Sequence, residues 1–102
     1  MKEFRVDYDI EAEADIIRLR DWLLNIGSRD LALKYLQKIR PEVARLSYTA
    51  EALPESEYQL PKLYHPHAKI TTVGNRKLTV IFHIEGDYAV VDKILPSSLI
   101  TY

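Results

Sequence analysis

The feature that most constrains this chain is a change of period. Apolar residues recur at Ala12, Ile16, Leu19, Leu23 and Ile26, and again at Ala32, Leu36, Ile39, Val43 and Leu46, each set drawing one stripe down a helix. Asp9 precedes the first stripe and Ser28 the second, where an oxygen can accept the free N–H groups of a first turn, and Gly27 lies between. Pro41 interrupts the second stripe and predicts a kink or one-turn break near Arg40, but the unbroken period predicts that the helix continues. Residues 49 to 66 carry Pro54, Pro61 and Pro66 without periodicity and read as an irregular connection. Beyond them the period is two. Lys69 to Val73 leads through Gly74 and Asn75 into Leu78, Val80, Phe82 and Ile84, and a turn at Glu85, Gly86 and Asp87 leads into Tyr88 to Leu95. Phe4, Val6 and Tyr8 alternate likewise, giving a short first strand.

Both helical stripes need one sheet face to cover. The order strand, helix, helix, three-strand meander therefore predicts an α+β fold: a small antiparallel sheet with an N-terminal helical hairpin packed on one face, in a single domain over residues 1–102. The expected core is Ile16, Leu19, Leu23, Leu36, Ile39, Val43, Val80 and Phe82. With 47% hydrophobic and 28% charged residues the chain has the composition of a globular domain. Having no cysteine, it is excluded from disulfide scaffolds, thiolate zinc sites and cysteine catalysis. Asp7, Asp9, Glu11, Glu13 and Asp15 occupy the stretch where a secretory signal would be apolar, and no run is long enough to span a membrane. A cytoplasmic protein without membrane contact is the expectation.

The net charge of −1 hides a local asymmetry. Between Glu57 and Glu85 there is no carboxylate, yet the stretch holds Lys62, Lys69, Arg76, Lys77 and all three histidines, His65, His67 and His83. Parity places Lys77 and His83 on the sheet face opposite Leu78, Val80, Phe82 and Ile84, with Lys69 and Thr71 beside them. That face is expected to be open, polar and positive, suited to phosphates, or else simply a solvated surface. His65-Pro66-His67 has no cysteine or nearby acid to complete a tetrahedral zinc set, so no metal and no cofactor are expected. No glycine-rich phosphate loop or nucleophile elbow is present.

The short first strand, a helix beginning DIEAEADI, a second helix and the block KLTVIFHIEGDYAVVDKIL together resemble the RelE/ParE superfamily of bacterial type II toxins. The block is similar to that family's core in length, alternation and turn. The resemblance implies a growth-inhibiting protein held in a hetero-oligomer by an antitoxin encoded beside it. RelE-like members cut mRNA on the ribosome with basic residues of the open sheet face and a C-terminal Arg and Tyr, whereas ParE-like members poison DNA gyrase. On the RelE-like reading the catalytic candidates are Lys69, Lys77, His83 and Tyr102, with Lys62, Arg76 and Lys93 contacting RNA. The family's strand arginine falls at Thr79, its tyrosine at Phe82, and its C-terminal arginine within Pro96-Ser97-Ser98. A ribosome-dependent ribonuclease with a non-standard basic site is thus one expectation; a non-enzymatic gyrase inhibitor, or a toxin fold that has lost toxicity, are the alternatives. Trp22 and Leu24, outside the main stripe, are expected to meet the antitoxin.

Overall fold

The computed structural model describes residues 2–100. Strand β1 (Arg5–Tyr8) leads into helices α1 (Ile10–Ile26) and α2 (Arg29–Ala44). The caps are those the sequence predicts: an Asp9 carboxylate oxygen accepts from the Glu11 N–H at 3.1 Å, and the Ser28 hydroxyl accepts from the Leu31 N–H at 3.2 Å. Helix α2 runs on through Pro41 to Ala44. Helix α3 (Leu46–Thr49) follows at once and carries Leu46 of the second stripe, and the connection is less irregular than its sequence reads, since it contains a 3-10 turn (Ala50–Ala52) and α4 (Gln59–Lys62). The meander comes next as β2 (Lys69–Val73), β3 (Leu78–Glu85) and β4 (Tyr88–Pro96), with a last 3-10 turn at Ser97–Leu99. Among the described residues no helix is long and apolar enough to cross a membrane.

The fold is α+β, as expected, but the sheet is mixed rather than wholly antiparallel. Its order is β1-β4-β3-β2, and β1 lies parallel to β4, with Arg5 opposite Tyr88 and Tyr8 opposite Val91. A parallel pair needs a long crossover, and the helical hairpin, the connection and the first two strands of the meander supply one. Ala12, Ile39, Val43 and Leu46 meet Val73, Leu78, Val80, Phe82, Ala89, Val91 and Ile94 in the main core, with Ile16 and Leu19 packed against it. Leu23 and Leu36, both expected there, stay partly exposed. Toward its loop end the hairpin packs less closely on the sheet: between residues 20 and 38 only Ala32 is buried.

A bulge shapes the last strand. Ile81 faces Lys93 while Phe82 faces Val91, so Asp92 is an extra residue on β4. Val91 and Ile94 are an odd number of residues apart, and the extra residue lets both enter the same core. Asp92 is left on the other face and Lys93 reaches α1, where its Nζ lies 3.0 Å from the Asp15 carboxylate.

Candidate functional site

The sheet face opposite the hairpin is closed, contrary to the sequence expectation. Thr79, Ile81 and His83 are all buried, the last only 7% exposed. The proline-bearing connection folds back over them: the Ser56 N–H donates to the Ala68 carbonyl at 2.8 Å, and the His65 ring stacks parallel on His83 with centroids 3.8 Å apart. His83 Nδ1 hydrogen-bonds Asp92 at 2.7 Å, and its Nε2 lies 3.4 Å from Glu85. Burial pushes the Asp92 carboxyl above its ordinary pKa, against the opposing pull of His83 and, more weakly, His65. Next to the stack, His65 Nδ1 accepts from the His67 N–H at 3.0 Å, which leaves Nε2 as the nitrogen able to carry the proton. His67 in turn reaches Glu55 at 3.0 Å. One ring face of His83 is covered and both nitrogens have partners, so the cluster fastens the connection to the sheet.

The other candidates do not converge on His83. Lys69 pairs with Phe82 and Thr71 with Val80, so both project toward the hairpin side, not the side of His83. There the Lys69 ammonium donates to the Ala50 carbonyl at 3.0 Å and neutralises the end of a short helical segment. Parity counted from Ile70 as the inward residue misleads; Val73, which shares parity with Lys69, is the one in the main core. Lys62 is exposed at the end of α4, Arg76 is exposed in the β2–β3 turn, and Lys77 is exposed just before β3. Lys93 is only 15% exposed and paired with Asp15. Tyr102 lies outside the described residues. Among the described residues, no group of three or more His, Asp or Glu side chains is placed to hold a metal ion.

What the structure does present is a groove under the loop end of the hairpin. It encloses about 930 Å³ between Leu19, Trp22, Leu23 and Ile26 of α1, Leu31, Ala32 and Tyr35 of α2, and Leu78, Ile94 and Leu95 of the strands. Its walls are mostly apolar and open to solvent: Trp22 is 54%, Ile26 61% and Leu31 67% exposed. Monomeric proteins seldom leave such a surface bare. Arg18, Lys77 and the Asp15–Lys93 pair stand at its edge. Sequence reasoning picks out Trp22 from the leftover apolar position, but the groove itself depends on how the loop end of the hairpin stands against β3 and β4.

A first strand parallel to the last, a three-strand meander and a helical hairpin between them form an arrangement seen elsewhere. The fold is shared with a ParDE chain. That solved structure, described as "Chromosomal ParDE TA system from P. aeruginosa", matches with a TM-score of 0.78 over 92% of this chain and 96% of the ParDE chain, at 18% identity. No protein-family model matches the sequence, nor does any curated protein. At that identity the likeness to the ParDE chain is one of fold, and it agrees with the α+β architecture that the order of elements predicts.

Proposed function

We propose that this protein is the toxin of a toxin–antitoxin pair, that a segment of its antitoxin fills the groove beneath the hairpin, and that it inhibits its target by binding. The observation that carries this is the 930 Å³ apolar groove on a chain that shares its fold with a ParDE structure. An amphipathic segment suits it: apolar anchors would cover Trp22, Ile26 and Leu31, and carboxylates would face Arg18 and Lys77. RNA cleavage through the 2′-hydroxyl needs a base, a cation and an acid around one phosphodiester. Here Lys69 and His83 project from opposite sheet faces, and Lys93 is tied to α1 at Asp15, a carboxylate it shares with Arg18. That favours the gyrase-type mode over a ribonuclease, with no metal or cofactor needed for it.

Induced expression with separate readouts of protein synthesis and DNA supercoiling tests the target. Relaxed or broken DNA with translation still running is the expected result. Rapid translation arrest with cut mRNA overturns the binding mode, and normal growth overturns toxicity. Co-purification with the product of an adjacent gene tests the partner, and a chain that stays alone refutes the antitoxin reading.

A further inference from the structure

A second cavity, which shares no residue with the groove, lies where the end of α2 and α3 face the β2–β3 turn. It encloses about 420 Å³, within the range of small-ligand pockets, and Arg45, Thr49, Thr71, Thr72, Asn75 and Arg76 supply its polar lining. Neither guanidinium has an ion pair or hydrogen bond among the described residues; Arg5 and Arg29 share that state, but Arg45 and Arg76 line one cavity together, whereas Arg18, Arg20 and Arg40 each have a carboxylate. Glu42 is the one carboxylate in the lining, and its Oε2 accepts the Gly74 N–H at 2.6 Å. Two guanidiniums against one engaged carboxylate leave the cavity positive.

The turn that presents Arg76 is strained. Asn75 and Arg76 come after Gly74 with φ of 58° and 65°, the left-handed region that costs a residue with a side chain about 1 kcal/mol or more. Left-handed residues are what a tight hairpin turn uses, so the strain belongs to the β2–β3 turn, and its consequence is where Arg76 is placed. It aims a second cation at a cavity that Arg45 already lines from the helical side.

From these observations we infer that the Arg45–Arg76 cavity binds a phosphate group. Each guanidinium offers a planar fork that takes two oxygens. One fork saturates a carboxylate, whereas a tetrahedral phosphate has oxygens for two forks from different directions and for the hydroxyl of Thr71, which faces the helices. The group can come from free phosphate or from a small phosphate ester, and the cavity has room for either. The inference is independent of the toxin reading, because it uses none of the groove.

Titration of the intact protein with inorganic phosphate, pyrophosphate and AMP at low ionic strength, followed by calorimetry and by backbone amide NMR shifts, tests it. Saturable binding is expected, with the largest shifts at Gly74 to Lys77. Arg45→Gln and Arg76→Gln should each weaken it about tenfold or more, the scale of a lost charge-assisted hydrogen bond. Arg29→Gln, an exposed change far from the lining, should leave it unchanged. Tighter binding of AMP supports the site and assigns it to an ester; tighter binding of inorganic phosphate supports it and assigns it to the free ion. Linear shifts without saturation, variants that bind like the parent, or equal weakening by Arg29→Gln would overturn it. Circular dichroism of each variant confirms that the fold is kept.

Discussion

Gly74→Ala isolates two costs that a sequence scan would merge. Gly74 sits at φ +62°, where an L-residue pays about 1–2 kcal/mol in backbone strain. It is also buried against Tyr35: a methyl there would overlap the Tyr35 hydroxyl and lie 3.0 Å from Cζ, so the ring must move. The contact is with the hydroxyl end of a half-buried ring beside the open groove, so moving it falls at the low end of overpacking, about 1 kcal/mol more, giving a total of about 2–3 kcal/mol. Gly86 provides the control, since its φ is +60° but nothing lies within 4 Å of an added methyl. Gly86→Ala should therefore cost only the strain. Urea unfolding with an unchanged m-value measures both, and Gly74→Ala should be the worse by about 1 kcal/mol. Adding Tyr35→Phe, which removes the overlapping hydroxyl, should recover part of that difference in the double variant. Equal losses at the two glycines would refute the reasoning, because the contact with Tyr35 would then carry no energy.

The remaining expectations are simpler. Phe82→Ala, at a fully buried core position, should cost about 3–5 kcal/mol by the same urea assay. Trp22→Ala should change stability by less than about 1 kcal/mol, because the ring is half exposed, yet weaken binding of the proposed antitoxin more than about tenfold in a titration calorimeter. The Arg40 guanidinium meets Glu13 through two 3.0 Å hydrogen bonds across the hairpin, and a double-mutant cycle should give about 0.5 kcal/mol, since both groups are half exposed to screening solvent. Those hydrogen bonds hold the Glu13 carboxyl below its ordinary pKa. Its contribution is therefore complete above the unfolded value and is lost as pH falls through the lower folded value. Glu13→Gln should flatten that part of the acid stability profile.

Local rules carry much of the architecture. Asp9, Gly27 and Ser28 mark the helix ends because capping is settled within a few residues, and the strand boundaries of the meander come from alternation and turns. The parallel pairing of β1 with β4 is not legible, since no short-range signal says which edge a first strand joins. The closed rear face is hidden for a related reason: alternation shows two faces, but a chain segment without periodicity gives no sign that it will fold back over one of them. Lys69 shows the limit most directly. Its neighbour Ile70 looks like the inward residue, and only Val73, four positions along from Lys69, decides the parity. The site suffers more than the fold, because a cluster of cations in sequence separates onto different faces once register and one bulged residue are fixed.

The pairing of β1 with β4 also sets an order of events during synthesis. Arg5 leaves the ribosome early, but its partner Tyr88 is made only after both helices, the connection and β3. Until then the meander has an unfilled edge and the first strand nothing to bond. Closure depends on contacts between distant parts of the chain, which form slowly. The hairpin, built from local contacts, can form long before the sheet is complete. Its groove-lining side is thus available to a partner synthesised nearby before the finished fold exists, so capture can precede maturation.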